Sequence, residues 1–130
     1  MKPSWIEIFP TYKKDDSGLW SLDTEQLPLP KDFKVKEKSI IYFPPKQSGG
    51  NHIHPRTEIF LGIGASLKLV WQDKDGHTHS NPMNPENKLY LFRIPPHLPH
   101  AVVNESDHQF AMLLELADQK QENVKAAALI

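Results

Sequence analysis

His52-Ile53-His54-Pro55-Arg56-Thr57-Glu58 brings two imidazoles and a carboxylate into one short stretch. Some forty residues later Pro95-Pro96-His97-Leu98-Pro99-His100, followed by Asn104, offers a further imidazole. In a strand, residues two apart project to the same face at a spacing of about 6.6 Å. His52 and His54 therefore turn one way and Ile53 the other. Glu58 lies an even step further on, and the bend at Pro55 can bring its carboxylate beside the two rings. Three imidazoles and a carboxylate are a ligand set that divalent Fe, Mn, Ni, Co or Zn accepts from proteins. The proline-fixed turn Pro95 to Pro99 suits a strand that opens at His100 and faces the first stretch. Asn104 keeps the parity of His100 and is expected either to hydrogen-bond behind the ligands or to close the strand end.

The rest of the chain reads as short strands. Twelve prolines and six glycines in 130 residues leave little room for long helices, because proline removes a backbone donor and clashes inside a helix. Ser4 to Phe9, with Trp5, Ile6, Ile8 and Phe9, has no purely polar face and reads as a strand covered on both sides or docked on another subunit. Tyr12 to Pro30 is an irregular arm. Asp32 to Phe43 is one bent strand or two short ones, and Pro44 to Gly50 is a turn. Glu58 to Leu61 and Leu67 to Gln72 are strands, Asp73-Lys74-Asp75-Gly76 a hairpin turn, and His77 to Ser80 the returning strand. Lys88 to Ile94, Ala101 to Val103 and Gln109 to Leu116 complete the set. The Ala, Lys, Gln and Glu content of Asp118 to Ile130, with Val124, Ala127 and Ala128 at helical spacing, predicts a short C-terminal helix. Many short strands between Pro/Gly turns argue for an antiparallel sandwich or barrel.

Size and charge narrow the function. The chain is long enough for one domain, spanning residues 1–130, divided into an N-terminal strand and arm (1–31), a barrel (32–117) and a C-terminal helix or tail (118–130). A formal net charge of −1, with no long block of like charge, argues against nucleic-acid and membrane partners. The absence of cysteine leaves only nitrogen and oxygen to hold a metal and agrees with a cytoplasmic setting. The N-terminus lacks the apolar run of a signal peptide.

The two stretches resemble the motif pair of the cupins. The first cupin motif runs G-x5-H-x-H-x3,4-E-x6-G, and His52-x-His54-x3-Glu58 matches its centre, with Gly64 one residue short of the closing glycine. The second runs G-x5-P-x-G-x2-H-x3-N, and Pro95-x-His97-x2-His100-x3-Asn104 matches it, except that His97 replaces the glycine. Lys46 stands where the first motif would open with glycine, Gly49-Gly50 lies nearby, and the Gly-Asp turn frequent before the second motif is missing. Covering roughly Gly49 to Glu115, the resemblance implies an all-β, cupin-type antiparallel jelly-roll β-barrel with one divalent metal inside, held by His52, His54, Glu58 and His100.

Such a site leaves room for water, substrate or oxygen at the metal. The resemblance therefore implies a metal-dependent enzyme on a small oxygen-rich metabolite: a dioxygenase, isomerase or epimerase, decarboxylase or lyase. The alternative from another class is a non-catalytic module that binds or senses a sugar or organic acid. Glu58 and His97 are the candidate catalytic acid/base groups. Arg56 and Arg93 are candidate substrate clamps through their guanidinium forks. His77-Thr78-His79 repeats the His-x-His pattern without a following carboxylate, so surface histidines on a hairpin are the expectation there. The apolar strand at Trp5 and the arm before Lys31 predict a homodimer.

Overall fold

A computed structural model describes residues 1–121, 125–127 and 129. Twelve strands follow one another: β1 Ser4–Ile8, β2 Tyr12–Lys14, β3 Leu19–Ser21, β4 Glu37–Phe43, β5 Ser48–Ile53, β6 Glu58–Ile63, β7 Leu67–Gln72, β8 Thr78–Pro82, β9 Leu89–Ile94, β10 His100–Asn104, β11 Ala111–Ala117 and β12 Lys125–Ala126. They form a five-stranded sheet in the order β1-β9-β6-β11-β4, a second in the order β12-β5-β10-β7-β8, and the small hairpin β2-β3. Every pairing is antiparallel. Only two single 3-10 turns interrupt the β structure of the described residues. The all-β expectation therefore holds, with one correction: the two sheets face each other without joining into a closed hydrogen-bonded barrel. No helix among the described residues is long and apolar enough to cross a membrane.

Two apolar layers explain why the first sheet is the more hydrophobic. Between the sheets, Phe43, Phe60, Phe92 and Leu113 meet Leu67, Leu69, Trp71 and Val102. On the opposite face of the first sheet, Ile59, Leu61, Leu91 and Leu116 are covered by Leu27 of the arm and Phe33 just after it, with Trp20 and Leu22 packed against them. β6 is thus buried on both faces, which is why Ile59 to Gly62 shows no alternation. Fully burying one such side chain stabilises by about 1.5–3 kcal/mol, so the arm is held by a few contacts of that size. It also contains structure that the proline count concealed, the β2-β3 hairpin, which turns at Gly18 with φ +74°.

Two further expectations are tested. β1 is an edge strand whose Trp5 and Ile6, with Phe9 just beyond it, are exposed in this chain, so of its two readings the strand covered on both sides by this chain is excluded; only Ile8 of the strand is buried. The C-terminal helix is not seen among the described residues: Lys125 and Ala126 pair with Ile53 and His52, and the Ala127 N–H donates to Asn51 O at 2.7 Å. Helix propensity is a weak prior, and the free edge of β5 offers backbone groups that a neighbouring strand satisfies. Val124 and Ala128 of the expected helix lie outside the described residues. The expected turn Pro44 to Gly50 is shorter than anticipated, because β5 already begins at Ser48.

Candidate metal centre

The two histidine stretches meet between the sheets. The His97 N–H donates to His54 O at 2.7 Å, tying the proline turn to the end of β5, and His100 opens β10 opposite His52. The register between β10 and β5 slips at this point, after His100, where Gly50 and Asn51 on the facing strand have φ of +92° and +57°. A Cβ on Gly50 would stand 3.0 Å from Ala101 Cα. The bulge therefore needs glycine for the close approach, and it is what sets His52 directly across from His100.

His54, Glu58 and His100 are all buried, with one potential ligand atom from each lying within 4.8 Å of the others. Glu58 Oε1 is 2.8 Å from His100 Nε2, and Glu58 Oε2 is 3.9 Å from His54 Nε2. His52 lines the same cavity, its ring centroid 5.5 Å from that of His54, but it stands outside the tight cluster of three. His100 Nδ1 lies 2.7 Å from Leu98 O; a carbonyl can only accept, so Nδ1 carries a proton and Nε2 is turned toward Glu58.

The buried groups depend on one another electrically. Burial alone would raise the Glu58 carboxyl, but His100, His54 and Arg56 together hold it below the ordinary carboxylate range. Burial lowers His54, favouring its neutral, ligating form. Glu115 is pushed up to about 7, first by burial and then by the negative charge of Glu58.

These residues fit a metal. His54 Nδ1 is buried without a hydrogen-bond partner, and Glu58 Oε1 faces His100 Nε2 at 2.8 Å, a contact that needs a proton or a cation between the two atoms. The donors are imidazole nitrogen and carboxylate oxygen, with one imidazole oriented by a backbone carbonyl, as metal-binding histidines usually are.

The other sequence candidates are placed differently. Arg56 is 2% exposed and makes five hydrogen bonds: Nε and Nη2 donate to Glu58 Oε2 at 3.2 and 2.9 Å, Nη2 to Glu115 Oε1 at 2.9 Å, and Nη1 to Glu37 Oε1 and Gln119 O, both at 3.1 Å. It orients Glu58 rather than standing free at a mouth. Arg93 is exposed on the opposite face of β9 and borders a separate surface hollow with Trp5 and Pro30. His97 is exposed and does not line the cavity, while its φ of +68° keeps the left-handed backbone of the glycine it replaces. His77 and His79 are exposed, as expected; His79 stacks on Trp71 and reaches Asp73 at 2.8 Å. Glu115 and Glu37 went unassigned in the sequence. The available signal was a lone carboxylate on the inward parity of Ala111 and Leu113 in an otherwise apolar strand.

The cavity encloses about 220 Å³, with His52, His54, Glu58 and His100 at its polar end and Ile41, Phe43, Phe60, Val102 and Leu113 along its apolar wall. No family model and no curated protein matches the chain. Solved structures do. The sugar 3,4-ketoisomerase QdtA from Thermoanaerobacterium thermosaccharolyticum, in complex with TDP, aligns at a TM-score of 0.69 and 16% identity over 95% of this chain and 86% of its own. Capsular polysaccharide assembling protein CapF from Staphylococcus aureus aligns at 0.62 and 16% over 75% of this chain, which spans 29% of the CapF chain. Oxalate oxidase in complex with the substrate analogue glycolate aligns at 0.55 and 18% over 68% of this chain and 44% of its own. The fold is that of the cupins.

Proposed function

We propose that the protein is a small cupin-fold metalloprotein that binds one divalent transition metal through His54, Glu58 and His100, with His52 as the fourth ligand, and acts as an enzyme on a small oxygen-rich metabolite. The observation that carries this reading is the buried His54-Glu58-His100 cluster with its unpartnered His54 Nδ1. A divalent ion there would supply Lewis-acid polarisation of a carbonyl or a lowered pKa for bound water. Arg56 keeps Glu58 ionised and aimed into the cavity, and the apolar wall excludes bulk water, which strengthens polar interactions inside. The likeness to a sugar 3,4-ketoisomerase favours a carbonyl-bearing substrate and, among the activities on this ligand set, an isomerase.

Turnover separates this enzyme from a module that only binds. Screening carbonyl and polyol metabolites against the metal-loaded wild type and Glu58→Gln should give conversion by the first and a loss of about 100-fold or more in the second. Binding without conversion across the panel would assign the cavity to a sensing or storage role instead.

The exposed Trp5, Ile6 and Phe9 on and beside the edge strand β1 support a homodimer through that edge. Light scattering on a chain lacking Met1–Thr11 should report a monomer; an unchanged dimer mass would rule this contact out.

A further inference from the structure

We propose that the cavity selects an uncharged, hydroxylated carbonyl compound and rejects anionic ones, an inference that rests on the metal site proposed above and names its substrate class. Three carboxyl groups, Glu37, Glu58 and Glu115, line the cavity. Among the described residues no lysine or arginine lines it, and positions 122–124, 128 and 130 are Glu, Asn, Val, Ala and Ile, none of them a cation. Lys38 alternates with Glu37 along β4 and is exposed.

Arg56 is the one guanidinium in contact with these carboxyl groups, and it has nothing left to offer a ligand. A guanidinium has five N–H donors. Arg56 uses five hydrogen bonds on Glu58, Glu115, Glu37 and Gln119 O. With Arg56 committed to Glu58, Glu115 and Glu37, no cationic side chain is left in the lining to pair with a phosphate or carboxylate on the substrate. Any such group beyond the metal's own ligands would lose its hydration without gaining a counter-charge and would face the Glu37 carboxylate, which is unfavourable.

The remaining lining suits a neutral molecule. Carboxylate oxygens and the Ser39 hydroxyl accept hydrogen bonds from hydroxyl groups, and Gln121 adds an amide at the same end. Ile41, Phe43 and Phe60 give the carbon skeleton an apolar wall. A volume of about 220 Å³ equals that of about seven water molecules, enough for a short-chain hydroxycarbonyl.

Dihydroxyacetone and its phosphate ester share one metal-binding end and differ in remote charge, and calorimetric titration with both tests the inference. Dihydroxyacetone should bind at least about tenfold more tightly at low ionic strength. The gap should narrow as salt screens the repulsion. Glu37→Gln should raise the affinity for the phosphate ester relative to that for the neutral compound severalfold. Equal affinity, tighter binding of the phosphate ester, no binding of dihydroxyacetone, or a ratio indifferent to both salt and Glu37→Gln would overturn the inference. Manganese-loaded and metal-free preparations are titrated in parallel. Failure to take up manganese counts against the proposed function, whereas the order of affinities, read on both preparations, judges the charge argument by itself.

Discussion

Replacing Arg56 with methionine should destabilise the protein by about 3–5 kcal/mol in urea unfolding, because it leaves buried carboxyl groups without their counter-charge. The guanidinium joins four elements at once: Glu58 at the start of β6, Glu115 in β11, Glu37 at the start of β4 and the backbone at Gln119. Methionine fills a similar volume and removes every one of these bonds. The double variant Arg56→Met/Glu115→Gln should recover part of the loss, since one of the stranded carboxylates is then neutral; this coupling identifies electrostatics rather than packing as the cause. A loss below about 1 kcal/mol in the single variant would place Arg56 among solvated surface pairs, whose worth is of that order.

Asn104→Ala should cost about 3 kcal/mol, with no change in metal content. Asn104 is fully buried. Its Nδ2 donates to Phe43 O and Pro44 O at 3.2 Å and to Gln109 O at 2.8 Å, and its Oδ1 accepts from the Ser66 hydroxyl at 2.6 Å and the Ser106 N–H at 3.1 Å. One side chain thus ties the ends of β4 and β10 to the segment leading into β11. Each buried group left unpaired costs about 1–3 kcal/mol, and partial access of water to some of these brings the sum to the lower part of what five bonds would allow. Asn104→Asp should lose a similar amount, because a carboxylate cannot donate to the three carbonyls. Loss of metal with unchanged stability would mean that Asn104 acts behind the ligands instead of closing the strand ends.

The strands and the buried His54-Glu58-His100 cluster were legible because their signals are periodic. Even spacing from His52 to Glu58 and from His100 to Asn104 fixed which side chains share a face, and Leu67, Leu69 and Trp71 did the same for the core. Lys46 and His97, which stand where the motifs have glycine, both adopt positive φ, +64° and +68°, the conformation glycine takes most readily. What spacing does not encode is partnership across the fold. Arg56 reads as a clamp in the sequence because nothing local indicates that Glu37, Glu115 and Gln119 surround it. The exposed apolar face of β1 and the pairing of Lys125–Ala126 with β5 are likewise set by which edge is free, a property of the assembled sheets. The arm over Ile59 and Leu61 was hidden by its prolines, which mark an extended path without saying what it covers.

Elemental analysis of protein purified without added metal, beside His100→Ala prepared in the same way, tests the central claim most directly. About one divalent transition metal per chain in the wild type, and a fall to near zero in the variant, is the result expected if His54, Glu58 and His100 form the site, since losing even an orienting partner of a ligand costs about 10- to 100-fold in affinity and losing a ligand costs more. Substoichiometric metal in the wild type, left unchanged by His100→Ala, would contradict it.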